Sequence, residues 1–388
     1  MSDPERALPP VVRRLGWVSL LTDAASEMIY PLLPVFLVTL GGGAAELGAL
    51  EGIAEATSAA VKWWTGARSD RAARRKPFVV AGYGLASLVR PVIALAGAPW
   101  HVVLLRTIDR VGKGLRSAPR DAMLSDAAPA GRRAAAFGFH RMMDNTGAVI
   151  GPVLAFALAK AGLSVRAIFA ASIVPGLLAV ATLAFGVREA PHEARAAEGA
   201  TPAPRLPTAA RAYLASVAIF TLGASADSFL LLRVLDLGLD AAWIPLVWLS
   251  LSASKALTNV PGGRVADRVG HTRALFVGWL LYAIVYASMP LVSSALGAWA
   301  LIVAYGAYYG LTEGAEKAVL ADLVPAEARG RAYGALHAIT GAAVLPANAI
   351  FGALYAKEAR FAFFAGAGFA AAGALSLLVV RPRPAPAA

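Results

Sequence analysis

The chain has 388 residues, 58% hydrophobic and 15% charged, with no cysteine, a formal charge of +12 and a mean hydropathy of +0.62. A soluble protein of this length needs a far more polar surface, and without cysteine neither disulfides nor thiolate metal sites are available. The charge would point to nucleic acid in a soluble chain, but here the cations sit in short clusters between apolar runs, as in the cytoplasmic loops of membrane proteins, so no nucleic-acid partner is expected.

A bilayer core about 30 Å thick takes ~20 residues of helix. Apolar runs of that size predict twelve spans, at 11–38, 44–66, 77–97, 100–122, 133–159, 164–186, 211–235, 242–262, 274–292, 296–318, 332–356 and 361–380. No segment shows the ~10-residue alternation of a barrel strand, so the expected fold is an all-α integral membrane protein. The first run is long and no small-residue cleavage site follows a short core, which reads as an uncleaved span. Cations mark one side of the membrane: Arg13 and Arg14, the segment "GARSDRAARRK" (66–76), then Arg120, Arg132 and Arg133 between spans four and five. Arg264, Arg268 and Arg273 between spans eight and nine, Arg329 and Arg331, and Arg381 and Arg383 continue the series. The opposite loops "GGGAAE" and "AGAPW" carry none, which places both termini in the cytoplasm.

The longest polar stretch, "VREAPHEARAAEGATPAPRLPTAAR", reads as a linker. It divides the chain into an N-terminal six-helix bundle (1–186), a linker (187–210) and a C-terminal six-helix bundle (211–388). The halves repeat each other. Gly66, Asp70 and Arg71 recur as Gly263, Asp267 and Arg268, "GLRSAPRDAMLSDAAP" (114–129) recurs as "GLTEGAEKAVLADLVP" (310–325), and Phe137-Gly138 matches Tyr333-Gly334. Three matches in chain order at nearly constant spacing indicate internal duplication, with the same topology in both halves.

Two motifs carry a family resemblance. One is Gly-x-x-x-Asp-Arg-x-Gly-x-Arg-Arg, read here as Gly66, Asp70, Arg71, Arg74 and Arg75, with Ala73 at the usual glycine; the copy "GRVADRVGHTR" keeps that glycine as Gly270. The other lies in the fifth span, where "GFHRMMDNTGAVIGPVLAF" supplies Gly138, Gly147, Gly151 and Pro152, and Ala155 and Phe156 replace two final glycines. With these the chain resembles a major facilitator superfamily transporter, of the bacterial drug/proton-antiporter-like branch, along essentially its whole length. The resemblance implies alternating access between halves that rock, in a bacterial inner membrane, with no cofactor and a monomeric working unit. It implies a cytoplasmic gate at Gly66, Asp70, Arg71, Gly263, Asp267 and Arg268. It also links the fifth-span residues to export, while close helix approach at Gly147 and Gly151 is expected of small residues in any membrane bundle. Arg74, Arg75 and Lys76 read as topology determinants only.

Ionisable residues inside the spans point to the chemistry, since each costs about 2.5–3.5 kcal/mol at a helix centre. Asp23 and Glu27 lie one turn apart on the first span, and Glu51 and Glu55 one turn apart on the second. The fourth span carries Arg106, Asp109, Arg110, Lys113 and Arg116; the fifth carries His140, Arg141, Asp144 and Asn145. In the second half Asp227, Lys255, Asn259, Glu313, Glu316 and Lys317 stand out, and Glu27 and Asp227 hold similar places. Carboxylates gathered in hydrocarbon do not all stay ionised, so Asp23, Glu27, Asp109 and Asp144 are the expected proton-coupling set. Asp23 or Glu27 is the expected carrier, with Arg110 and Asp144 as counter-charges. Glu55, Arg106, Arg110, Lys113, His140, Arg141, Asn145 and Asp227 are the expected substrate-binding set. Arg120-Asp121 aligns with Glu316-Lys317 with signs exchanged, which suits two ends of a gate lock, although packing is the plainer reading of Glu316 and Lys317.

The substrate stays open. The basic face of span four favours a carboxylate or phosphate, the acids favour a cation, and four acids with His140 and Asn145 could serve a divalent metal. Trp63, Trp64, Tyr83, Tyr305, Tyr308 and Tyr309 suit interfacial anchoring or packing more than a drug pocket. The expected function is proton-coupled efflux of a small molecule; a divalent-metal or organic-anion exporter and an uptake symporter of the same fold remain alternatives. No Ser-His-Asp order, His-rich motif or phosphate loop points to an enzyme, and duplicated halves with paired gates argue against a channel.

Overall fold

The computed structural model describes residues 8–69, 72–128, 133–189, 206–324 and 329–380. The motif residues Asp70 and Arg71, together with Arg132, Arg381 and Arg383, lie outside them. Among the described residues all regular structure is helical: α1 (Pro10–Glu27), α2 (Leu33–Thr39), α3 (Ala44–Ser69), α4 (Lys76–Val92), α5 (Pro99–Ala127), α6 (Arg133–Lys160), α7 (Val165–Ala171), α8 (Ile173–Ala181), α9 (Thr208–Gly223), α10 (Ser228–Asp236), α11 (Ile244–Val269), α12 (His271–Ser288), α13 (Ala295–Leu323), α14 (Arg329–Lys357) and α15 (Ala359–Ser376).

Nine helical segments among the described residues are long and apolar enough to cross a bilayer. Three more, α3, α5 and α11, run 26, 29 and 26 residues and fall short through polar and charged residues, not length. On α5, Arg106, Asp109, Arg110 and Arg116 are all buried, so the charge faces protein and not lipid. With these three the described residues hold twelve candidate spans.

The first and seventh spans are each made of two helices. Pro31 offers no N–H to continue α1 and its ring crowds the carbonyl four residues back, that of Glu27, where α1 stops. The seventh span breaks without proline, between Gly223 and Ser228. There the side chain of Asn348 accepts the freed Ala226 N–H at 2.8 Å, and Ser225 Oγ lies 2.9 Å from the Tyr286 hydroxyl. Such substitutes are what a membrane interior demands of an interrupted helix.

Several cations expected in loops lie on helices. Arg120 and Asp121 belong to α5, and Arg264, Asp267 and Arg268 to α11, because both helices continue several residues past their apolar stretches. Only Gly270 separates α11 from α12, at φ +95°, a conformation that L-residues rarely adopt. The first-half counterpart is Ala73, and no non-glycine described residue has positive φ. Here six residues part α3 from α4 instead of one. The carboxylate of Glu189 caps α4, accepting the N–H groups of Arg75 at 2.7 Å and Lys76 at 2.8 Å.

The helices form two compact units. The first comprises Met1–Gly42, Ile53–Glu198 and Ala241–Leu249; the second comprises Gly43–Gly52, Gly199–Asp240 and Ser250–Ala388. The first has an apolar core of Val12, Leu15, Val18, Val79, Tyr83 and Leu124, with Leu88, Leu104, Val174 and Phe185 directed outward. The second is cored by aromatics: Phe220 stacks on Trp279 at 4.4 Å and Tyr282 on Tyr286 at 4.1 Å, while Ile284, Leu296 and Phe361 face out. Apolar exteriors around polar or aromatic interiors fit a lipid surround.

Candidate functional site

In the first unit, α1 and α6 approach at backbone distance. A Cβ on Gly151 would lie 2.7 Å from both Ala24 O and Glu27 Cβ, and one on Gly147 would meet Leu20 O and lie 3.0 Å from Asp23 Cβ. The two glycines therefore seat the two helical turns that carry Asp23 and Glu27. Helix α6 runs unbroken through Pro152, and Gly138 lies in its second turn.

Around these turns the charges form two groups. In one, Asp109 on α5 is fully buried between Arg90 Nε at 2.9 Å and Arg106 Nη1 at 3.0 Å, and Arg90 also donates to Thr22 O on α1 at 3.0 Å. Beside it on α5, Arg110 Nε lies 3.2 Å and Lys113 Nζ 3.9 Å from the same Glu55 oxygen. Glu27 accepts the indole N–H of Trp248 at 2.6 Å and lies in the field of Arg106, Arg110 and Lys113. The Arg106 guanidinium stands 5.2 Å from the ring centre of Tyr30.

The other group surrounds Asp23. No side chain among the described residues hydrogen-bonds or ion-pairs with this half-buried carboxylate; the charges acting on it are Asp144, Arg116, Glu27 and Arg120. Asp144 accepts a hydrogen bond from Ser19 and lies 3.5 Å from His140 Nδ1. Buried Arg116 packs over the Tyr83 ring at 4.4 Å. Arg141 and Asn145, expected beside Asp144, lie on the exposed side of α6.

In the second unit, Asp227 opens α10 without capping it. Its carboxylate meets Lys255 Nζ at 2.7 Å, Tyr305 OH at 3.0 Å and Tyr309 OH at 3.1 Å. Asn259 donates to Glu313 at 3.2 Å.

The described residues expected at the gate make few contacts within their own units. Gly66 has only Ala118 Cβ in reach and Gly263 is open. Exposed Asp267 lies 3.4 Å from His271 Nε2, whose other nitrogen is 2.8 Å from Asp322, and Arg268 is exposed. Arg120 pairs with its neighbour Asp121 at 2.8 Å. The Glu316 carbonyl accepts the Tyr213 hydroxyl at 2.7 Å, and Lys317 is exposed. No three His, Asp or Glu side chains among the described residues gather as a metal site.

Sequence reasoning passed over Arg90, Ser19 and Trp248. Arg90 was detectable as a lone cation in an apolar span; Ser19 and Trp248 carry no signal of their own. Lys255 had such a signal, but nothing in its neighbours along the chain pointed to Asp227.

A family model described as Major Facilitator Superfamily matches residues 15–315 and, in a second match, 214–388. An MFS-type transporter of Methanocaldococcus jannaschii, MJ1317, is 30% identical over 387 residues, covering 98% of this chain and 97% of its own. The Mycobacterium tuberculosis protein Rv2265 is 31% identical over 351 residues, covering 88% and 85%. Among solved structures, a bacterial homologue of the human lysosomal transporter Spinster, inward-facing and occupied, superposes with a TM-score of 0.75 at 18% identity over 98% of this chain and 97% of that one.

Proposed function

The chain belongs to the major facilitator superfamily, and from that premise we propose that this multi-pass membrane transporter exports a small molecule in exchange for protons, by alternating access. The observation that carries the reading is Asp23: a half-buried carboxylate with no cation or donor seated on it among the described residues, one turn from Glu27 and in the field of Asp144. An unpaired carboxylate taken out of water is costly, and a bound proton removes the cost. Asp23 is then the proton carrier, Glu27 its neighbour under the basic face of α5, and Asp144 and Arg110 the charges that alter its hold on the proton. Asp109, clamped by two guanidiniums, serves as a fixed hub instead of the proton-coupling part expected of it.

Proton entry can drive export energetically. One charge moved through 100 mV supplies ~2.3 kcal/mol, and each unit of pH difference adds about 1.4 kcal/mol. The export direction is supported by Gly147 and Gly151, whose seating of α1 on α6 gives the fifth-span motif a physical purpose: it positions the carboxylates and closes the helix seam around them. Asp70, Arg71, Asp267 and Arg268, with Arg120, Asp121, Glu316 and Lys317, are assigned to the cytoplasmic gate. The molecule works as a monomer in the bacterial inner membrane, with both termini cytoplasmic.

The test uses everted membrane vesicles holding an acid interior, monitored with a pH-sensitive dye. Compounds of one charge class at a time are added outside. Proton export reports an antiporter substrate as partial loss of the gradient, absent in vesicles lacking the protein. If no class collapses the gradient while a labelled compound still crosses, proton-coupled export is wrong.

A further inference from the structure

The acid of the second unit is held in an unusual way. An aspartate that opens a helix ordinarily accepts the N–H of its own first turn, yet Asp227 leaves α10 uncapped. Its carboxylate instead takes the ammonium of Lys255 at 2.7 Å and the hydroxyls of Tyr305 at 3.0 Å and Tyr309 at 3.1 Å. The donors come from two helices, α11 and α13, packed at backbone distance: a Cβ on Gly306 would lie 3.1 Å from Lys255 N, and one on Gly310 would lie 2.8 Å from Thr258 Cβ. Lys255 Nζ is placed further by the Tyr309 ring, 3.8 Å from its centre. The occupant, by contrast, sits at the end of the only non-helical segment of the seventh span.

We propose that Lys255, Tyr305 and Tyr309 form a receptor for the carboxylate of an organic-acid substrate, which Asp227 fills as an internal stand-in. One ammonium and two phenols aimed at a single point match the acceptor capacity of one carboxylate. Donors on rigid helices and an acceptor on a hinge make the acceptor the part that yields. The assignment rests on the transport reading above and gives it a substrate class: the second unit grips the acid group, while the first handles the proton. Lys255 keeps 23% of its side chain exposed and Asp227 10%, so the pair is reachable. The aromatic surface of Tyr309 beside the ammonium favours an acid with a flat apolar body.

The experiment is calorimetric titration of the purified full chain in detergent at fixed pH, with benzoate as probe and benzylammonium as control. Benzoate is expected to bind at least tenfold tighter to D227N than to the unaltered protein, because its competitor is weakened, and not to bind K255Q. The double variant D227N/K255Q leaves no lone charge behind; it is expected to melt as the unaltered protein does and still not bind benzoate, which separates lost recognition from lost folding. Benzoate affinity unchanged in D227N, or retained in K255Q, overturns the proposal. So does benzylammonium binding that tightens in K255Q, which would make Asp227 a cation site. No gradient enters this assay, so a failure of proton coupling leaves its outcome untouched.

Discussion

Helices α5 and α13 descend from one duplicated segment, yet they solve the same problem with opposite chemistry. At matching positions α5 carries Asp109 and Lys113 where α13 carries Tyr305 and Tyr309. In the first unit the polar interior is an ionic network: Asp109 between Arg90 and Arg106, Glu55 between Arg110 and Lys113. In the second it is one ion pair dressed by phenols and backed by stacked aromatics. The signs are reversed as well, with the acid on α3 and the cations on α5 in one unit, and the cation on α11 facing the broken seventh span in the other. Buried full charges need opposite charges held in contact with them, whereas phenols tolerate an acceptor that comes and goes. The first unit is built to hold charge in place and the second to let it be replaced.

The sharpest way to break this comparison is to unbalance each unit at the matched position. D109N removes the one carboxylate shared by the buried guanidiniums of Arg90 and Arg106 and is expected to cost about 3–5 kcal/mol, seen as a large drop in melting temperature in detergent. Y305F, its counterpart, removes a hydroxyl that reaches Asp227 and Tyr309 but no full charge, and is expected to cost about 1–2 kcal/mol. Equal losses would mean that the two interiors are not different in kind.

Next comes the α1–α6 seam. Gly151→Val drives a side chain into Glu27 and the Ala24 carbonyl, for a cost of about 1–3 kcal/mol and a loss of gradient-driven transport. Gly263→Ala, inside α11 with nothing near its Cβ, is expected instead to stabilise by about 0.5–1 kcal/mol. Matched melting curves check both; a silent Gly151→Val would leave the seating of the carboxylates unsupported.

The smallest expected effect is at the exposed ends. Arg75 pairs with Asp126 in the first unit, and His271 with Asp322 at the corresponding place in the second. D126N and D322N are each expected to cost less than about 0.5 kcal/mol, since both carboxylates are more than half exposed. A larger loss for either would mean that these contacts do more than trim the helix ends.

Much of this was legible in the residues. The span boundaries fall within a few positions of the helices, because the apolar runs are long and their caps and prolines local. The helices overrun where charge continues on a helical surface, as at Arg120 and Asp267. The break after Glu27 is written in Pro31, but the break before Asp227 is not, since it depends on Asn348 and Tyr286 from remote helices. The members of the charged clusters were visible as costly residues in apolar segments. Their partners were not: that Glu55 takes Arg110, that Asp109 takes Arg90, and that Trp248 reaches Glu27 are facts of tertiary packing, which a single sequence does not encode locally.

The central claim is that Asp23 carries the coupled proton. The most direct measurement is internal pH in proteoliposomes under an imposed gradient, with substrate added, comparing the unaltered protein with D23N at matched reconstitution. Substrate-dependent acidification that vanishes in D23N while unlabelled–labelled substrate exchange persists is the predicted result. Acidification of undiminished rate and stoichiometry in D23N would contradict it and pass the proton to another group.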